Sequence, residues 1–150
     1  IWIFPPVAAS IFYTYIYTLY VNVEFYFEKT KYVMFVSIFG AALNILLNYI
    51  YIPKFGFIAA GYTTVFSYII FAISHYILYK IILKKNKIPK SIFPDKSILF
   101  YSIIVLIAMA FCIILYKYNI IRYIIIATIA LLAIILHKNL IAFVKKVFSK

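Results

Sequence analysis

Asn44 to Tyr68 reads NILLNYIYIPKFGFIAAGYTTVFSY, two apolar runs that meet at Pro53-Lys54-Phe55-Gly56. Proline carries no backbone N–H and its ring clashes with the preceding helical turn. It also biases the residue before it away from helical backbone. The spacing therefore predicts one helix that stops at Pro53, almost no loop, and a second helix that starts at Phe55. Followed outward, the runs meet no charged side chain from Tyr32 to Pro53 or from Phe55 to Tyr79. A hydrocarbon core of about 30 Å is crossed by roughly 20 apolar helical residues. Both runs reach that length, so the stretch reads as a tight antiparallel hairpin of two membrane-spanning helices.

The same count applied to the rest of the chain gives about five spans, at approximately 4–27, 32–53, 55–79, 97–116 and 120–140. The last has an uncharged stretch only from Tyr123 to His137, and it crosses a bilayer only if Arg122 and Lys138 extend their charges to the interface. Composition agrees with an all-α membrane protein. Hydrophobic residues make up 68% of the chain and charged residues 12%, with a mean hydropathy of +1.10. A soluble domain carries about a quarter charged residues, and a small one cannot hide this much apolar surface. The expected surroundings are a lipid bilayer.

The net charge of +12 raises the question of a nucleic-acid partner. The charges lie in short runs between apolar stretches, which is the layout of membrane loops and not of a nucleic-acid-binding face. The tail KNLIAFVKKVFSK alternates Lys138, Lys145, Lys146 and Lys150 with Leu140, Phe143, Val144 and Phe148, as an interfacial helix does. Cys112 is the single cysteine and lies within an apolar run, so no disulfide forms within the chain. The chain opens IWIFPP, with no initiator methionine and no basic leader, and this is the pattern expected of a carboxy-terminal piece of a longer polytopic protein.

Orientation follows from the lysines and arginines. If the spans alternate, one side holds Lys29, Lys31, the six lysines from Lys80 to Lys96 and the four of the tail, while the other holds Lys54, Lys117 and Arg122. The richer side is expected to face the cytoplasm, which puts the carboxy terminus inside.

Polar and small residues recur at helical spacing within the spans. In the second span Ser37, Gly40, Asn44 and Asn48 follow steps of three and four and share one face. Two Asn on one face are poorly placed against lipid, so they serve either to pack helices together or to line a cavity. The third span carries Ala60, Thr64, Ser67, Phe71 and Ser74, a stripe suited to the second span's polar face. Pro53 and Gly56 form the turn between them. In the first span Ser10, Thr14, Thr18 and Asn22 recur every four residues, and Tyr13, Tyr15, Tyr17 and Tyr20 are expected on all sides. Those rings could line a saccharide path, or they reflect a compositional bias shared by the whole chain. Glu24 is expected to pair with Lys29 or Lys31 near the cytoplasmic edge, and His75 to anchor the third span at the interface.

The sequence shows no paired mid-membrane carboxylates, no His/Cys/Asp cluster at metal-ligand spacing, no Gly-rich phosphate loop and no nucleophile elbow. A non-enzymatic chain without a cofactor is the expectation, which leaves binding and movement.

At the hairpin the sequence resembles the carboxy-terminal half of bacterial polysaccharide flippases, the Wzx-type exporters of O-antigen and related glycans. They belong to the superfamily that also holds the multidrug and toxin extruders; a multidrug or cation antiporter of the same fold is the alternative reading, with a membrane glycan polymerase or acyltransferase behind it. The resemblance rests on Asn44, Asn48, Ile52, Pro53, Gly56, Ala59, Ala60 and Thr64, with the short loop Glu28 to Lys31 upstream. The family often has Gly-Ala-Ala after the turn, where this chain has Ala59, Ala60 and Gly61. The resemblance implies a two-bundle exporter in the bacterial inner membrane, of which this chain supplies most of the second bundle. It implies a lipid-linked oligosaccharide as cargo and other membrane proteins of glycan assembly as partners. It also implies alternating access, one bundle rocking against the other. The diphosphate of such a cargo calls for cationic groups in the cavity, and no span here has a mid-membrane Lys or Arg.

Overall fold

The computed structural model describes residues 2–121, 123–128 and 130–131. They are helical, with the order α1 (Phe4–Tyr26), α2 (Thr30–Phe55), α3 (Ile58–Lys85) and α4 (Asp95–Leu115), and no strand occurs among them. Among the described residues α2, α3 and α4 are each long and apolar enough to cross a membrane. At 23 residues α1 also has the length, but with five tyrosines, two prolines and Glu24 it is not among the helices apolar enough to cross. Described residues between Asn119 and Thr128 are helical. Most of the expected fifth span, 120–140, and the whole tail from Lys138 lie outside the described residues.

The chain divides into two compact units at Phe111 and Cys112. The first is organised around α3. Ile3 and Pro6 approach Gly61, Tyr17 meets Tyr68 and Phe71, and Glu24 meets His75, so α1 and α3 run parallel. On the other partner Asn48 meets Thr63, Asn44 meets Ser67 and Gly40 meets Phe71, so α2 and α3 run antiparallel. The core is almost wholly the α1–α3 seam: Ala9, Tyr13, Ile16, Tyr20 and Val23 against Val65, Ala72, Tyr79 and Leu83. The outer faces of α2 and α4 stay apolar and exposed, as at Phe35, Ile45, Phe100 and Ile107. Lipid or further helices satisfy such faces, and water does not.

The turn differs from expectation at both of its ends: α3 starts at Ile58 and not at Phe55, which belongs to α2. Pro53 does not stop α2; the helix runs on to Phe55 with Pro53 in its last turn. Only the bond from residue 53 to the carbonyl four residues earlier is lost, and near a helix end that loss is tolerable. Gly56 closes the helix, its N–H donating to Ile52 O at 2.8 Å. Its φ of +71° lies where a side chain is strained. Here glycine, not proline, ends the helix.

A second device fixes the α3–α4 connection. The Tyr79 hydroxyl accepts from the N–H groups of Ile92 (2.6 Å) and Phe93 (3.3 Å) and donates to Ser91 Oγ at 2.9 Å. Ser91 Oγ accepts from Lys80 Nζ at 3.1 Å and donates to Asp95 Oδ1 at 2.9 Å, and Lys80 closes the ring by an ion pair with Asp95. Every hydrogen has one direction, so the cluster is internally satisfied. Tyr79→Phe leaves two backbone N–H groups without their acceptor, which costs about 1–3 kcal/mol. The expected outcome is a lower unfolding midpoint and faster tryptic cleavage among Lys84, Lys85, Lys87 and Lys90, with helix content unchanged.

Candidate functional site

Two polar clusters lie inside the apolar bundle. The first joins α2 to α3. Asn48 Nδ2 donates to Asn44 Oδ1 (3.0 Å), Asn44 Nδ2 donates to Ser67 Oγ (3.1 Å), and Ser67 Oγ donates to Thr63 O (2.8 Å). Thr63 Oγ1 stands 2.5 Å from Asn48 Oδ1 and 3.1 Å from Ala60 O, so it completes the chain of bonds. Steps of four on each helix make this possible: 40, 44 and 48 face 71, 67 and 63 in antiparallel register. The amides are spent on holding the hairpin together, and in a bilayer the hydrocarbon would offer them no competing partner.

The stripe residues divide accordingly. Gly40, Asn44, Asn48 and Ser67 belong to the seam. Ser37 is exposed, one turn beyond it. Thr64 donates to Ala60 O at 2.6 Å, a bond within its own helix, while its neighbour Thr63 takes the place opposite Asn48. One residue is a rotation of about 100° on a helix, and only the register with α2 decides between the two threonines. The signal was present as spacing: a pair four apart on α2 requires a pair four apart on α3, and Thr63 and Ser67 are that pair. Ser10, Thr14 and Thr18 bond carbonyls of their own helix. Tyr13, Tyr17 and Tyr20 do not scatter. They lie toward the bundle, while Tyr15 faces outward.

The second cluster is an ionisable pair. Glu24 was expected to reach Lys29 or Lys31, and His75 to sit at an interface. Instead the two side chains meet each other. His75 Nδ1 lies 3.0 Å from Glu24 Oε1 and 2.9 Å from Oε2, and both residues are 0% exposed. Lys29 touches Glu24 only through the backbone, its N–H donating to Glu24 O at 2.8 Å. The parallel course of α1 and α3 brings the two together across 51 residues of sequence. Tyr17 and Phe71 stack beside the imidazole at 5.7 and 6.1 Å. His75 Nε2 is buried with no hydrogen-bond partner among the described residues.

Two apolar grooves accompany these clusters. One of about 540 Å³ runs along the outside of the α2–α3 hairpin near the turn, lined by Tyr51, Phe55, Tyr62 and Phe66. Another of about 400 Å³ lies between α1, α3 and the start of α4, under Tyr13, Tyr20 and Tyr76. Of the seam's polar residues only Thr63 reaches either groove. No group of three metal-ligating side chains occurs among the described residues. No family model, curated protein or solved structure matches this chain.

Proposed function

We propose that the chain is the greater part of one bundle of a two-bundle exporter in a bacterial inner membrane. On this reading it moves an undecaprenyl-diphosphate-linked oligosaccharide by alternating access and performs no chemistry on it. The observation that carries the proposal is the Asn44–Tyr68 hairpin, with its resemblance to polysaccharide flippases. Three helices apolar enough to span a membrane are compatible with it. The Asn48–Asn44–Ser67 seam supports it physically. A rocking bundle has to move as one body, and hydrogen bonds between helices in hydrocarbon favour that.

Asn44→Leu with Asn48→Leu is expected to lower surface glycan in a strain lacking its own exporter. Interhelical hydrogen bonds in membranes average about 0.6 kcal/mol and reach about 1.7 kcal/mol. The expected loss is therefore partial at normal protein level. Unchanged export would remove the seam from the transport cycle. A reporter fused to the carboxy terminus is expected to report cytoplasm; a periplasmic signal would overturn the topology on which the proposal stands.

The buried Glu24–His75 pair favours a second reading, a drug or cation antiporter of the same fold, because such carriers use membrane-embedded carboxylates. Export of a cationic dye in place of glycan by cells carrying the protein decides between them.

A further inference from the structure

We propose that Glu24 and His75 form one buried proton-binding site between α1 and α3, holding one proton beyond the N–H of a neutral imidazole whenever the two helices are packed. The inference concerns the ion and does not depend on the cargo.

The geometry allows few states. With both carboxylate oxygens near 3 Å from Nδ1, one hydrogen must lie between the groups. If the pair carries only that hydrogen, it is a carboxylate beside a neutral imidazole with a net charge of −1. A second proton makes the pair neutral overall. It then stands either as imidazolium on Nε2 beside carboxylate, or as carboxylic acid donating to Nδ1 with the ring hydrogen on Nε2. The two arrangements contain the same protons and differ only in which group carries the shared one. Burial penalises the net charge heavily and the neutral pair far less. Nε2 is the only atom of the ring left to receive the second proton, and it is enclosed with no other partner among the described residues.

The surroundings point the same way. On α1 the phenol of Tyr17 stacks on His75, and Tyr20, Tyr76 and Tyr79 form an aromatic group one turn along the same seam. Between Tyr32 and Tyr49, α2 carries no ionisable residue. Lys80 and Asp95 lie one turn further along and satisfy each other. Glu28, Lys29 and Lys31 follow Glu24 in the chain, and neither lysine forms an ion pair with it among the described residues, so the charge in direct contact with the carboxylate is the proton shared with His75. The stacked Tyr17 and Phe71 rings also favour a positive imidazole beside them. Access to Nε2 from water requires α1 and α3 to part, which links proton release to a change of packing.

The test uses the full chain in lipid nanodiscs with His137→Gln, leaving His75 as the only imidazole, and with ¹⁵N-labelled histidine. At neutral and mildly alkaline pH the ring nitrogens are expected to show imidazolium. Alternatively, the infrared spectrum is expected to show a carboxylic-acid band that disappears in Glu24→Gln. Either result places the proton in the pair. Glu24→Gln is further expected to convert an imidazolium pattern to the neutral one over the same pH range. A neutral ring together with no such band at neutral pH overturns the proposal. If Glu24→Gln does not fold, His75→Gln serves in its place: the buried carboxyl, left without the ring, is expected to hold the proton itself and show an acid band at neutral pH, and a carboxylate band there overturns the proposal.

Discussion

Glu24→Leu is expected to destabilise the bundle by about 3–5 kcal/mol, the largest single-residue loss in this chain. Leucine is close to glutamate in size, so the cost does not come from a hole. It comes from His75, which then has neither ring nitrogen paired in a place without water. His75→Leu is expected to cost a similar amount, because it leaves the buried Glu24 carboxyl without its hydrogen-bond partner. The double variant Glu24→Leu/His75→Leu is expected to recover most of either loss, since replacing a whole buried pair by apolar side chains is often neutral or stabilising. Reversible unfolding of the single and double variants in mixed micelles, followed by helical circular dichroism, measures all three. Additive losses would show that the two residues do not act as a pair. The comparison is independent of where the proton sits, so it can succeed while the proton-binding proposal fails.

The hairpin was legible in the sequence because its signals are local. Uncharged length, a proline and a glycine within four residues, and steps of three and four all survive without knowledge of any partner. The misplaced details at the hairpin, the helix ends at Pro53 and Phe55 and the choice of threonine, are also local in scale. Pro53 sits inside α2 because a helix loses little by giving up a bond in its last turn, and Gly56 supplies the backbone that ends it. Thr63 replaces Thr64 because a helix face is fixed only to about one residue until a neighbour sets the register. Glu24 and His75 were harder to pair. Each has a plausible nearby role, a lysine two turns away for one and an interface for the other. Nothing in composition shows that α1 and α3 run side by side at equal height. A usable hint was that both are ionisable groups flanked by apolar residues toward the same ends of two parallel spans.

Gly40→Ala separates two opposed effects, and the sign of the result decides which is larger. By helix propensity alone alanine is about 1 kcal/mol better than glycine within a helix. Against this, a Cβ at Gly40 would stand well inside van der Waals contact with Phe71 Cζ and Cε2. The ring has little freedom to retreat, since it stacks on Tyr17 at 5.5 Å and on His75 at 6.1 Å. Overpacking of this kind costs about 1–3 kcal/mol, occasionally more, so Gly40→Ala is expected to destabilise despite its better propensity, and Gly40→Leu to destabilise further. Phe71→Leu shortens the obstructing ring, and in that background Gly40→Ala is expected to become neutral or stabilising. Unfolding midpoints of the four combinations give the coupling directly. A stabilising Gly40→Ala in the parent chain would mean that α2 and α3 do not approach closely at Gly40, and the register that places Asn44 and Asn48 against Ser67 and Thr63 would fall with it.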